Sequence, residues 1–214
     1  MAERDNINRQ ADLDYTLHKI QSNVFHVKCK NQLSDSIVDF FAMAIGFFMF
    51  GCINAEMLYS DDTKYLFYGN IIIAGIVQII LGVYDWYKGK SISILTNFSF
   101  GLLFITWFLK YYLIENENIT KDKKYEGAIY IIWLLLVLII IFGVKNKGLI
   151  YSLDYLAVAV GFLFLIISKY SDIDWIKKVH GYAFIVSGGL FWITGLLRFI
   201  NNAFLNNNMG IVRE

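Results

Sequence analysis

The 214-residue sequence has no proline, only two cysteines and three histidines. Average usage of about 5% would supply roughly ten prolines. Helix kinks must therefore arise at the 16 glycines or at polar side chains. Cys29 and Cys52 could form at most one pair. One precedes the first apolar segment and the other lies deep inside it, so both read as free thiols without metal-ligand spacing. Charged residues make up 17% of the chain and balance to a net +1, with the lysines scattered over loops. That pattern excludes an electrostatic nucleic-acid binder. Met1–Asn23 lacks the apolar core of a cleaved signal peptide. There is no His/Glu metal-ligand pair, no serine in a nucleophile turn and no glycine-rich phosphate loop, so no enzyme, metal or cofactor is expected.

What the chain has instead is apolar length. Hydrophobic residues are 57% and aromatics 17%, with a mean hydropathy of +0.51, values unsuited to a soluble surface. A bilayer core of about 30 Å needs roughly 20 apolar residues per helix. Six such segments can be cut: Ile37–Tyr59, Leu66–Tyr87, Ile92–Ile114, Gly127–Val144, Leu149–Lys169 and Val179–Phe204. Runs such as Ile131–Phe142 are too long and too continuous for barrel strands, and only a helix satisfies its own backbone in lipid. The expected fold class is all-α, a polytopic membrane protein with six transmembrane helices. Residues 1–36 form an N-terminal segment, 37–204 the transmembrane domain and 205–214 a disordered C-terminal tail. Leu13, Leu17, Ile20 and Val24 have the spacing of an amphipathic interfacial helix, with a partly ordered tail as the alternative.

If every segment crosses, 11 of the 19 basic residues fall on the side of the termini and 8 on the other. The positive-inside rule then puts both ends in the cytoplasm. An ionisable side chain inside a membrane helix is a functional candidate by default. Asp39, Asp85 and Asp154 are such residues, each near one end of its span and each able alternatively to reach interfacial water. His180, opening the last span, reads as structural more readily than as a titrating switch. Trp86, Tyr111, Tyr112 and Trp175 at span ends read as interfacial anchors, and Trp107, Trp133 and Trp192 as packing. The charged loops Glu115–Glu126 and Tyr170–Lys178 read as solvated connections.

The most patterned stretch is Gly69–Gly101. Gly75, Gln78, Gly82 and Asp85 recur at spacings of three and four and so share one helix face, along which a neighbouring helix can approach closely. Thr96, Asn97, Ser99 and Gly101 form a polar cluster in the next span. Ser187, Gly188, Gly189, Thr194 and Gly195 form a small-residue surface in the last.

That stretch, from Ala74 to Gly101 without a gap, resembles the segment GGIAQIxxGxxEYxxGNTFGxTAFxSYG of the acetate uptake transporter family, the microbial succinate/acetate permeases. Gln78, the glycines, a carboxylate before an aromatic, Gly89, Ser99 and Gly101 all fall in register. Gly143 after Trp133, and Gly181-Tyr182 with Gly188 and Trp192, add to the likeness. The family's NPAPLGL signature would fall at Asn31 to Ile37 and keeps only the asparagine and the last apolar residue. The resemblance implies a homohexamer of six-helix protomers in a lipid bilayer, the plasma membrane being the expected one. It implies that each protomer moves small monocarboxylates such as acetate, with protons. It also implies a pathway constriction at Phe40, Phe100 and either Val158 or Leu156, with Asn31, Gln78, Asp85, Thr96, Asn97 and Ser99 along the substrate or proton pathway. A narrow apolar ring can gate by dewetting. Two other readings stand beside transport with protons: a channel-like pore for another small solute, and a non-transporting scaffold or sensor, which a dry, closed interior between Phe40 and Phe100 would favour.

Overall fold

The computed structural model describes residues 37–57, 61–116, 123–145, 148–171 and 174–210. Asn31, Cys29 and the amphipathic stretch Leu13–Val27 lie outside them. The described residues hold six helices: α1 Ile37–Asn54, α2 Asp61–Tyr87, α3 Ser91–Asn116, α4 Lys123–Val144, α5 Leu149–Tyr170 and α6 Asp174–Gly210. All six contain a stretch long and apolar enough to cross a membrane, so the chain is an all-α integral membrane protein. Outward positions such as Ile132, Ile139 and Phe142 on α4 are exposed apolar side chains suited to lipid.

Several helix ends differ from the sequence expectation, and at two of them the local reason is visible. α1 stops at Asn54 rather than Tyr59 because Glu56 takes a left-handed backbone, φ 56°. Met57 N donates to Cys52 O at 3.2 Å and Glu56 N to Ile53 O at 3.2 Å, closing the helix end in a Schellman motif. Glycine normally occupies that position, and a glutamate there gives no signal in the sequence. α6 runs on to Gly210, so the expected disordered tail is helical over 205–210. With no proline in it, nothing breaks the helix before that glycine. The α2–α3 turn is built in the ordinary way. Gly89, φ 67°, is the left-handed residue, and Lys90 N donates to Asp85 O at 3.1 Å.

Val38–Leu197 forms one compact unit. Within it α2 packs along α3 and α4 along α5, joined by short connections, while α1 packs against α6. Glycines set the closeness of these pairs. A Cβ on Gly75 would lie 3.0 Å from Gly101 O, one on Gly188 only 2.7 Å from Phe48 N, and one on Gly51 2.6 Å from Ile185 N. Gly75 and Gly82 on α2 thus seat α3, and Gly188 and Gly195 on α6 seat α1.

Adjacent glycines in α6 make a matched test. Gly188 meets α1 backbone, whereas a Cβ on Gly189 would have nothing within 4 Å. Gly188→Ala should lower the thermal midpoint of the purified protein, since backbone atoms cannot move aside. Gly189→Ala should leave it unchanged or raise it by the helix preference of alanine, about 1 kcal/mol. Equal effects at the two positions would contradict this packing.

Candidate functional site

The middle of the bundle is aromatic. Phe47 of α1, Phe100 of α3, Tyr155 of α5 and Phe191 of α6 form a closed circuit, with successive ring centroids 5.3, 6.1, 5.5 and 5.8 Å apart. All four are buried. A second tier lies beyond it toward the end where α1 finishes. There Phe50 stacks on Trp107 with centroids 3.4 Å apart, and Phe184 packs on both and on Phe162. Gly46 gives room to Phe104, and Gly161 to Phe184. Edge-to-face and offset contacts of this kind add about 0.5–1.5 kcal/mol per pair beyond simple burial. The result is an apolar waist whose rings carry only the Tyr155 hydroxyl and the Trp107 indole N–H as polar groups.

Polar side chains gather at the two ends. Toward the start of α1, Gln78 Nε2 donates to both the backbone carbonyl and Oδ1 of Asp39, each at 3.0 Å. Asn97 Nδ2 donates to Asp85 Oδ2 at 2.9 Å, and Lys90 Nζ lies 3.6 Å from Asp85 Oδ1, held there by the Gly89 turn. The Thr194 hydroxyl donates to Asp154 Oδ1 at 3.1 Å. Tyr155 faces Thr96 and lies within electrostatic reach of Asp39 and Asp154. A carboxylate only accepts, so each amide must turn its N–H₂ to its aspartate and leave its oxygen over. Gln78 Oε1, Asn97 Oδ1 and Asp154 Oδ2 are accordingly buried without a partner. The oxygens left over in these three pairs are all acceptors.

The opposite end has another character. Lys110 of α3 and Lys169 of α5 both bind Oε2 of Glu126 on α4, at 2.8 and 2.6 Å, and Lys110 Nζ also donates to the Tyr130 hydroxyl at 3.1 Å. Asn54 Nδ2 donates to the Tyr111 hydroxyl at 2.8 Å, and Tyr111 stacks on Tyr68.

Of the residues expected from the sequence, Gln78, Asp85, Thr96 and Asn97 come together in the first cluster, and Ser99 is buried beside Phe100. Phe100 belongs to the aromatic circuit. Phe40 lies one layer off, against Phe191 and Tyr151 at 5.8 and 5.6 Å. Val158 is fully buried, but Leu156 is half-exposed on the outer side of α5 and cannot narrow an interior path. Asp154 is 1% exposed, which removes the reading that it reaches interfacial water. Tyr111 is half-buried near the end of its span, bonded to Asn54 and stacked on Tyr68. Sequence reasoning missed Phe47, Tyr155 and Phe191, which look like ordinary span residues, and it read Thr194 only as part of a small-residue surface. It also missed the Lys110–Glu126–Lys169 cluster, whose only signal was a charge at the same end of three spans.

No family model matches the chain, and no curated protein matches it by sequence. Among solved structures it is similar to the bacterial acetate channel SatP, with a TM-score of 0.72 at 16% identity, over 79% of this chain and 93% of that one. The resemblance drawn from the Gly75–Gly101 segment is upheld at the level of the fold.

The Asp154–Thr194 pair can be tested by a double-mutant cycle. Thr194→Val strands a buried carboxyl oxygen and should cost about 1–3 kcal/mol of stability. Thr194→Val with Asp154→Leu removes both polar partners and should cost less than Thr194→Val alone, as read by thermal unfolding in detergent.

Proposed function

We propose that the chain is a membrane conduit for small monocarboxylates such as acetate, moving them with protons, in a homohexamer whose protomers each carry their own path. The observation that carries this reading is the axial order of the bundle: a polar cluster at each end, a four-ring aromatic waist between them, in a fold shared with an acetate channel. A carboxylate has a charged head and a methyl tail. Donors and acceptors at the ends suit the head, and an apolar constriction suits the tail. A waist of rings that close on one another also excludes water until side chains rotate, which is how a hydrophobic gate holds shut. The positive-inside count supports both termini in the cytoplasm, with the plasma membrane as the site.

Asp85 is the best-placed proton carrier. It is buried, bound to Asn97 and close to Lys90. Protonation there would release the Lys90 contact and change what the inner cluster offers a substrate. The closed waist supports a second reading, a scaffold or sensor that conducts nothing, and a plain channel without protons is the third.

Uptake of labelled acetate into proteoliposomes separates them. Wild-type protein should accumulate acetate under an inward proton gradient. Flux indifferent to that gradient leaves the channel, and none above empty vesicles from folded protein leaves the scaffold. Asp85→Asn should abolish the gradient dependence while leaving the aromatic core intact; unchanged dependence returns Asp85 to a structural role. Phe100→Ala, which opens the waist, should raise acetate flux severalfold. A variant as silent as a sealed wild type would rule out the waist as a gate.

A further inference from the structure

The Lys110–Glu126–Lys169 cluster holds two cations against one anion, and both ammonium groups lean on the same glutamate oxygen. A balanced structural ion pair needs only one of those lysines. The surplus is +1, and the three side chains are partly open, at 23%, 18% and 23% exposure. Solvent-borne ions can therefore reach it. Each residue comes from a different helix, so the charge is focused where α3, α4 and α5 meet at one end of the bundle.

The indole N–H of Trp107, 1% exposed, faces the Tyr130 hydroxyl that Lys110 also contacts, which ties the charged cluster to the aromatic waist. His180 is within electrostatic reach of both lysines. Its Nδ1 is directed at the Ile176 carbonyl, 3.4 Å away, which leaves Nε2 as a buried lone pair suited to an acid proton or a water rather than to an anion.

We propose that this cluster is a capture site for a small monocarboxylate anion. The carboxylate is held by Lys110 and Lys169, and Glu126 serves as the internal occupant that the incoming anion displaces from one of them. The site rests on the monocarboxylate reading above for its ligand class, but not on transport. Glu126 keeps the empty site neutralised down to +1, and a bound monoanion completes the balance at zero. The two ends of the bundle then differ, because the Lys110–Glu126–Lys169 cluster carries a surplus positive charge, while Asp39, Asp85 and Asp154 gather at the other end.

Binding can be read without any gradient, by saturation-transfer NMR on the methyl protons of acetate with purified protein in chloride-free buffer. Wild type should give a saturable signal. Lys169→Met leaves a balanced Lys110–Glu126 pair, so the fold should persist while acetate affinity falls about tenfold, the worth of one charge-assisted hydrogen bond. Lys178→Met, an exposed lysine paired with Glu56, should leave the signal unchanged. Glu126→Gln removes the internal competitor and should tighten acetate binding relative to the saturable wild-type signal. A wild-type signal equal to that of Lys169→Met, or a Glu126→Gln variant that is folded and binds no better, overturns the proposal. Acetate bound here without flux in vesicles would refute transport and leave the site standing. Flux unaltered by Lys169→Met would refute the site and leave transport standing.

Discussion

A carboxylate inside a membrane bundle must take its hydrogen bonds from another helix, because lipid supplies none. Much of this structure follows from that requirement. Asp39 on α1 is met by Gln78 on α2, Asp85 on α2 by Asn97 on α3, and Asp154 on α5 by Thr194 on α6. Each pair ties two helices at a fixed height, and all three lie toward the same end. Glu126 does the same at the other end, drawing α3 and α5 to α4. With the polar ties confined to the ends, the middle is left to contacts that need no donor.

The middle is filled by large rings, and the rings depend on the glycines. Phe104 and Phe184 occupy the space that side chains on Gly46 and Gly161 would take. Close backbone approach of α1 to α6 at Gly51 and Gly188, and of α2 to α3 at Gly75, draws the helix axes in so that rings from four helices can meet. Without proline the helices supply no kinks of that kind, and small residues carry the task of shaping the interior.

The α2–α3 hairpin was legible in the sequence because its signal is local. Gly75, Gln78, Gly82 and Asp85 repeat along one helix, and Gly89 marks the turn, so one chain segment shows its own contact face. The aromatic circuit was not legible, because Phe47, Phe100, Tyr155 and Phe191 come from four helices and each resembles a lipid-facing aromatic when taken alone. The choice between Leu156 and Val158 shows the limit at single-residue scale. Positions two apart on a helix point about 200° away from each other, so a register taken from a distant likeness cannot fix which one faces inward. Helix ends were read least well where the cap broke the usual rule, as at Glu56.

The asymmetry of the ends bears on why the proposed conduit would need a proton at all. An anion approaching the lysine end meets the surplus positive charge of Lys110 and Lys169. The same anion at the aspartate end meets Asp39, Asp85 and Asp154, with Lys90 set 3.6 Å from Asp85. Two like charges separated by about 4 Å at a protein surface repel by roughly 4 kcal/mol, which would stop a bare carboxylate there. A proton on either partner removes that repulsion and turns an acceptor into a donor that the orphaned amide oxygens can bind. On the proposed reading, a proton on the substrate or on an aspartate such as Asp85 would ease passage of the aspartate end, and the lysine end would have no such requirement.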